Sequence, residues 1–331
     1  MNEKRYILGV DGGGTKTVCF LADADGRIAG VGRAGCSNHQ TGGITAAMEN
    51  VARCVEEACR RAGVRREEIA FALLGMAGAD LPEDFALLRE HLARVLAPVP
   101  FDVINDTWIA FAAGTRETWG AVSICGTGSN LAVRTPEGKL FTTRALSYML
   151  GNYGGGSHLA EMAMHRAFRC SEGTGEPTLL AWRLPALCGC ADMDELALRT
   201  YRSDYRYPRD YNISRLVFEL AAGGDAVCLR LLAAMGGELG EMLGRLIVTA
   251  RLADEAVPVV LAGTLHTRDD HALMRAPLVE RLHAFAPRAA VTVAQSPPVL
   301  GAALHAYAAA GIPLPEEARL RLQAEAGRAF A

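Results

Sequence analysis

The chain has no uninterrupted apolar run long enough to cross a bilayer, so we expect neither a transmembrane helix nor a membrane partner. Its polar start, Met1-Asn2-Glu3-Lys4-Arg5, leads directly into a strand-like segment, whereas a signal peptide would continue with an apolar core. The expected location is therefore cytoplasmic.

Net charge is also small. The formal charge is −3 and the sequence pI is about 6.3, so no strong field is available to attract a polyanion. Basic charge is nearly all arginine, which we attribute to overall composition. We expect no nucleic-acid partner.

Cysteine pairing is not indicated. Nine cysteines are an odd number, and their spacing is irregular, which favours reduced thiols over a disulfide framework. Cys54, Cys59 and Cys228 occur in helical patterns and are interpreted as core thiols. Cys188 and Cys190 are too close for a Cys-x-x-C metal knuckle, so a chance pair in a loop is the better interpretation.

The chain is long enough for about two domains of roughly 150 residues each, and 50% of its 331 residues are hydrophobic. Its first third alternates strand-like and helical patterns, which is typical of a layered α/β domain. A helical repeat of apolar residues ends at Gly63, a predicted C-cap, and a second helix follows Pro82. The predicted strands are Tyr6 to Val10, Val18 to Ala22, Ile28 to Gly32 (after a turn at Asp25-Gly26), Ile69 to Gly75, and Phe101 to Ile104.

From Ala121 the same plan restarts, with a strand, a glycine-rich loop, a paired strand, a turn and a third short strand. The chain therefore reads as a duplicated fold. Later helices are predicted after Gly156 and from Asp225 to Ala253, followed by a buried strand from Val257 to Leu261. The tail from Pro313 is predicted as an exposed helix. Three glycines of the longer helix should allow close packing on one side: Gly236, Gly240 and Gly244.

Two glycine-rich loops carry the chemistry. Each joins the two strands of a predicted hairpin, and together they suggest two lobes that grip one polyphosphate. Glycines bring backbone N–H groups close to an anion, and Thr or Ser hydroxyls add donors. The loops are Asp11-Gly12-Gly13-Gly14-Thr15-Lys16 and Gly126-Thr127-Gly128-Ser129.

Five ordered segments resemble those of the actin-like ATPase superfamily. Within it, the chain is most similar to the BadF/BadG/BcrA/BcrD ATPase family, which includes N-acetylglucosamine kinases. The resemblance covers the chain from about residue 5 to residue 310. The segments are Asp11 to Thr15, Asn105-Asp106-Thr107, Gly126 to Asn130, Val260-Leu261-Ala262-Gly263, and Gly301-Ala302-Ala303-Leu304.

This resemblance implies an α/β fold of two ribonuclease-H-like, actin-like ATPase lobes with a nucleotide cleft between them. We place the N-terminal lobe at residues 1–113, the C-terminal lobe at 114–311 and a tail helix at 312–331. The implied cofactors are ATP and Mg²⁺. The implied nucleotide-binding residues are Asp11, Gly12, Gly13, Gly14, Thr15, Lys16, Gly126, Thr127, Gly128, Ser129, Gly263 and Thr264.

Two aspartates each have two interpretations. Asp11 could cap the turn that follows it, or orient hydrated Mg²⁺ as in the family. Asp106 could be the N-cap of the helix that starts near Thr107. The family role makes Asp106 the catalytic base that accepts the acceptor hydroxyl proton.

The acceptor-side residues are implied by likeness to the sugar-contacting segments of N-acetylglucosamine kinases. Asn38 and His39 lie in one such segment, although this loop could also just cap the helix that begins near Thr41. Asn130 matches another contact. Asn152 stands where family kinases carry Gly-Asp-Glu-Gly-Ser, and both acids of that motif are missing here.

We therefore predict an ATP-dependent kinase of an amino sugar, N-acetylglucosamine or a close relative. One alternative is an ATPase that activates a radical dehydratase or reductase, for which Cys125 and Cys170 are the only candidate cluster ligands. Another is a sugar-sensing pseudokinase. The sequence leaves the oligomeric state open, a homodimer included.

Overall fold

The computed structural model describes residues 6–203, 212–269 and 271–330, so the predicted polar start at residues 1–5 lies outside the described part. Ten strands are present in that part: β1 Tyr6–Gly12, β2 Thr17–Asp23, β3 Ile28–Ala34, β4 Ile69–Met76, β5 Phe101–Asn105, β6 Gly120–Cys125, β7 Ser129–Arg134, β8 Leu140–Thr142, β9 Pro258–Ala262 and β10 Ala290–Val293.

Thirteen α-helices accompany the strands in the same described ranges. They are α1 His39–Gly42, α2 Ile44–Ala62, α3 Pro82–Leu96, α4 Asp106–Gly114, α5 Gly156–Ser171, α6 Leu180–Leu187, α7 Met193–Arg202, α8 Ile213–Ala222, α9 Ala226–Thr249, α10 Thr264–Thr267, α11 Arg275–His283, α12 Pro298–Ala310 and α13 Glu316–Phe330. Short 3₁₀ turns occur at Arg66–Glu68 and Tyr148–Leu150. None of the helices described combines the length and the apolar character that a bilayer crossing requires.

The chain forms two compact units, Met1–Val122 with Thr292–Ala331, and Ser123–Val291. This division differs from the predicted boundaries, because it places α12 and α13 with the N-terminal residues. Packing explains the difference. A Cβ at Gly9 of β1 would lie 2.4 Å from the backbone N of Ala303 in α12, so strand and helix are in close contact.

The first unit contains a five-stranded sheet in the order β3-β2-β1-β4-β5. Strands β1 to β3 form an antiparallel meander, and β1, β4 and β5 run parallel. One face of the sheet packs on α2 and α3. Alternate residues of β1, such as Leu8 and Val10, lie in one buried hydrophobic cluster with residues of these two helices. The other face, with Ile7 and Phe20, packs on α12 and the tail. The predicted strands, the turn at Gly26 and the C-cap at Gly63 are confirmed.

The predicted exposure of the tail helix is wrong in part. Leu322 and Ala326 of α13 are fully buried in the first unit. In addition, the Ile28 backbone N donates to Glu325 Oε2 at 2.6 Å. The tail is therefore a structural part of this unit, because one face of its helix completes the core beside β3.

The second unit repeats the arrangement, with the sheet order β10-β9-β6-β7-β8. Read from the other end, with β6 counted as the first strand of the unit, this is the same strand order as in the first unit. The duplicated fold is therefore confirmed. The glycine prediction for α9 is also confirmed. A Cβ at Gly236 or Gly240 would lie 2.0 or 2.2 Å from a carbonyl oxygen in the α11 region, and one at Gly244 would meet the Phe285 ring.

Candidate active site

The first glycine-rich loop joins β1 to β2 in the first unit. Its turn is closed by a hydrogen bond from Gly13 N to Lys16 O at 3.0 Å, and Gly14, Thr15 and Lys16 are exposed at the tip. The base of the loop is tightly packed, because a Cβ at Gly12 would lie 2.5 Å from Met76 Sδ and 2.7 Å from Ser37 Oγ. The loop therefore presents an open backbone tip on a tightly packed base, which suits a phosphate.

Asp11 is the second-last residue of β1, is partly buried, and pairs with Val18 of β2 and Gly75 of β4. Its carboxylate has no hydrogen-bond partner in the described part of the chain, so its interpretation as a turn cap has no support. Burial raises the pKa of Asp11 to about 6, against an opposing effect of Lys16.

Asp106 is the first residue of α4, directly after β5. The N-cap is Asn105, whose side chain accepts from Thr107 N at 3.0 Å, so the N-cap interpretation of Asp106 is wrong. Burial, followed by the negative charges of Asp11 and Asp80, raises the pKa of Asp106 to about 7. Both aspartates and Asp80 thus belong to one acidic region, and it lies at the carboxyl ends of the parallel strands, where α/β sheets place their ligands.

The predicted acceptor loop is fixed by its own residues. Asn38 Oδ1 accepts from Gln40 N at 2.9 Å and caps α1, so the capping interpretation of this loop is confirmed as a local role. His39 Nε2 lies 2.9 Å from Asp84 Oδ1. Its other ring nitrogen, Nδ1, is buried and has no hydrogen-bond partner among the described residues.

Asp84 connects this loop to the segment after β4. Burial alone would raise the pKa of Asp84, but hydrogen bonds from Leu81 N and His39 hold it below its usual value. Gln40 Nε2 donates to Gly78 O at 3.1 Å and lies 3.4 Å from a carboxylate oxygen of both Asp80 and Asp84.

Asp80 continues the connection to β5. Asn105 Nδ2 donates to Asp80 Oδ1 at 2.9 Å and to Ala79 O at 3.1 Å. Burial, with Asp84 as the second cause, raises the pKa of Asp80. The sequence analysis missed the roles of Gln40, Asp80 and Asp84. Two signals could have found the acids, since they follow a buried strand and flank the proline at the start of a helix.

The second glycine-rich loop lies in the second unit, where three later glycines pack on it: Gly154, Gly155 and Gly156. Gly156 N donates to Gly126 O at 2.7 Å and Ser157 N to Thr127 O at 3.0 Å. At Gly155, φ is +92° and a Cβ would lie 2.6 Å from Gly128 Cα. A side chain at this position would push the loop apart, so the glycine run is part of the loop's architecture.

Gly263 approaches the same loop from β9. Its φ is +96°, and a Cβ would lie 2.5 Å from Cys125 O. Thr264 follows as the first residue of α10. A Cβ added at Gly14, Gly126 or Gly128 would meet no other atom within 4 Å. The exposed faces of both loops therefore have room for a ligand.

Asn152 lies against the second loop. Its Oδ1 accepts from Ser129 Oγ at 3.1 Å, and its Nδ2 lies 3.4 Å from Ser129 O. Asn130 Oδ1 accepts from Thr143 Oγ1 at 3.3 Å. Both amides therefore have hydrogen-bond partners within the protein.

The nine cysteines are free thiols. Cys125 is fully buried, and burial raises the pKa of its thiol to about 12. Cys54 and Cys228 are also buried, as predicted, and Cys59 is half-buried beside the core. No three His, Cys, Asp or Glu side chains converge on one point in the described ranges. A Mg²⁺ ion fits the acidic region in another way, because it is commonly held by one or two carboxylates together with substrate phosphates.

Comparison with known proteins identifies the family to which the chain is similar. The family model described as BadF/BadG/BcrA/BcrD ATPase matches residues 8–306. The chain is 25% identical over 259 residues to the N-acetylmuramic acid/N-acetylglucosamine kinase of Clostridium acetobutylicum, and 25% identical over 271 residues to the N-acetyl-D-glucosamine kinase of Dictyostelium discoideum. Each alignment covers 78% of this chain and 85% of the relative.

A solved structure has the same fold. It is a provisionally named N-acetylglucosamine kinase from Chromobacterium violaceum, with a TM-score of 0.68 and 22% identity. The superposition covers 91% of this chain and 98% of the other. The chain therefore shares the fold of this structure, and its two related five-stranded sheets agree with the duplicated α/β fold that the sequence predicted.

Proposed function

Because the chain belongs to the BadF/BadG/BcrA/BcrD ATPase family, we propose that it transfers the γ-phosphate of ATP to a hydroxyl of an amino sugar. The observation that carries this proposal is the placement of Asp106. It is the first residue of α4, whose N-cap is Asn105, and burial together with the charge of Asp11 raises its pKa to about 7. The relatives named as kinases of N-acetylglucosamine or N-acetylmuramic acid point to the class of acceptor.

Asp106 acts as the general base. A catalytic base works best when its pKa lies near the operating pH, because it is then largely ionised and still accepts a proton. In a loose phosphoryl-transfer transition state the hydroxyl proton moves late, so the carboxylate mainly orients the attacking oxygen and takes the proton as the new bond forms.

The two glycine-rich loops hold ATP. In the first unit, Gly12, Gly13, Gly14, Thr15 and Lys16 meet the phosphates, and Asp11 orients the hydrated cation. In the second unit, Gly126, Thr127, Gly128 and Ser129 contact the phosphates, while Gly263 and Thr264 lie on the nucleotide side. When bound, Mg²⁺ neutralises charge on the β- and γ-phosphate oxygens. Because the proposed phosphate donor is ATP, the location we propose for the protein is the cytoplasm.

The acceptor is held by Asn38, His39, Asn130 and Asn152. Since Asn38 Oδ1 caps α1, Asn38 offers its Nδ2 as a donor to a sugar oxygen. The contact between His39 Nε2 and Asp84 Oδ1 holds the His39 ring in place in this loop. N-acetylglucosamine and N-acetylmuramic acid are the two candidate sugars. Asn152, being neutral where the family has an acid, does not repel the carboxylate of the second.

The test is a phosphotransfer assay with purified protein, MgATP and a panel of amino sugars, in which ADP release and sugar phosphate are both measured. We expect sugar-dependent ADP release that is lost in Asp106→Asn. Asp102→Asn is the matched control, because Asp102 is an exposed carboxylate of β5, the strand directly before α4, and pairs with Arg89. Sugar binding without any phosphorylated product would refute the kinase and favour the sugar-sensing pseudokinase.

The activator alternative has no supporting observation here. It requires thiolates that converge on an iron–sulfur cluster, whereas Cys125 is buried with a pKa raised to about 12. The other candidate, Cys170, is half-buried, with its Sγ 3.9 Å from Thr178 O. The kinase is therefore the function that the site supports best.

A further inference from the structure

The segment between β4 and α3 connects the predicted acceptor loop to the start of α4. Four hydrogen-bonded contacts form this connection. They run from His39 to Asp84, from Asp84 to the backbone of Asp80, from the Asp80 side chain to Asn105, and from Asn105 to Thr107. The last two residues of this chain of contacts, Asn105 and Thr107, flank Asp106 in the sequence.

Asn105 is the member that sets the first turn of α4. Its Oδ1 accepts from Thr107 N at 3.0 Å, and its Nδ2 donates to Ala79 O at 3.1 Å and Asp80 Oδ1 at 2.9 Å. An amide has two N–H donors and one carbonyl oxygen, so all of its groups are engaged. Its rotamer is therefore fixed, and with it the backbone from which Asp106 projects.

Asp80 is in turn held in place. Its backbone N donates to Asp84 Oδ2 at 3.3 Å, and Leu81 N donates to the same oxygen at 2.8 Å. Asp84 therefore caps the start of α3 and braces the turn that carries Asp80. Ala77 N also donates to Gly12 O at 2.8 Å, which anchors this segment to the end of β1.

We propose that Asp80 is a positioning residue for Asp106, acting through the side chain of Asn105. Asp80 Oδ1 fixes the N-cap, the N-cap fixes the first turn of α4, and the first turn directs the carboxylate of Asp106 at the acceptor hydroxyl. The inference rests on the proposed kinase function. It adds a residue that assists turnover without touching either substrate.

The geometry distinguishes positioning from a charge effect. Asp80→Asn keeps an oxygen for Asn105 Nδ2 but removes the charge. Asp80→Glu keeps the charge but moves the oxygen by one methylene. Asp80→Ala removes the acceptor. A misplacement of about 1 Å near the reacting atoms can cost on the order of a hundredfold in rate, so the order of the three variants is informative.

The experiment is steady-state kinetics on the full chain with MgATP and the best amino sugar of the panel. We expect kcat to fall about tenfold or more in Asp80→Ala and Asp80→Glu. Asp80→Asn should stay within about threefold of wild type, and KM for MgATP should not change in any of them. Thermal unfolding of each variant confirms that the measured protein is folded, and Asp102→Ala is the control for loss of a carboxylate on the neighbouring strand.

A double variant separates positioning from a purely structural role. If Asp80 acts through Asp106, Asp80→Ala should have almost no further effect on the residual rate of Asp106→Asn. Equal fold losses in both backgrounds would overturn the inference, as would wild-type kcat in Asp80→Ala or better activity in Asp80→Glu than in Asp80→Asn. If Asp80→Ala does not fold, the comparison of Asn with Glu decides alone. An inactive wild type would instead refute the proposed function itself.

Discussion

Replacing Asp106 by Asn should lower turnover and raise stability at the same time. The change removes the proposed base, so kcat should fall by about 10² or more, the order of general-base contributions. Affinity for nucleotide should be nearly unchanged, because the glycine-rich loops are untouched. Loss of activity alone would be an ambiguous result, since many variants lose activity by unfolding.

The stability gain follows from the raised pKa. The Asp106 carboxyl titrates near 3.8 in the unfolded chain and at about 7 in the folded protein. Below both values the carboxyl is neutral in both states and imposes no penalty. As pH rises from about 4 to 7 the unfolded chain loses its proton first, so folding becomes progressively less favourable, and the full penalty is present above pH 7.

The shift of about three pKa units corresponds to an upper limit of about 4 kcal/mol, at 1.36 kcal/mol for each unit. Asn recovers only part of this, because its amide is also a buried polar group that needs hydrogen-bond partners. We therefore expect Asp106→Asn to be more stable than wild type by about 1 to 2 kcal/mol at pH 8. At pH 4 the difference should nearly vanish.

The assay is chemical denaturation of wild type and variant at pH 4, 6 and 8, without Mg²⁺ or ATP, since bound ligands would add their own stabilisation. Asp102→Asn serves as the control, because that carboxylate is exposed and pairs with Arg89. The argument would be refuted if Asp106→Asn were less stable than wild type at pH 8, or if its gain in stability did not grow with pH. Either result would show that burial and neighbouring negative charges do not penalise the ionised Asp106 carboxylate.

Three further predictions concern the second unit. Gly155→Ala should destabilise the protein by about 2 kcal/mol or more and weaken ATP binding, whereas Gly151→Ala, at a similar positive φ but with open space around it, should cost only about 1 kcal/mol; equal costs in thermal unfolding and equal ATP affinities would contradict the role of the close contact with Gly128. Protein purified without oxygen should be colourless, because Cys125 is a buried thiol, and stoichiometric iron and sulfide lost in Cys125→Ser would favour the activator. Asn152→Asp should shift kcat/KM towards N-acetylglucosamine and away from N-acetylmuramic acid, since it restores a charge-assisted acceptor and repels a carboxylate; unchanged ratios for the two sugars would show that this residue does not select the acceptor.

Local sequence determined the elements and the loops. The meander, the helix that ends at Gly63, the two glycine-rich loops and the restart at Ala121 were all predicted, because hydrophobic period and glycine placement act over a few residues. The repeated order also predicted two related sheets. The resemblance of Asn105-Asp106-Thr107 to a family segment, together with its position after a strand, singled out Asp106.

Only the tertiary structure decided what surrounds these residues. The roles of Asp80, Asp84 and Gln40, the packing of Gly155 on Gly128, and the raised pKa of Asp106 depend on contacts between segments far apart in sequence. The burial of α13 beside β3 does as well. Periodicity shows that a helix has an apolar face, but not which strand covers it, and a carboxyl's pKa depends on burial and on neighbours that folding brings together.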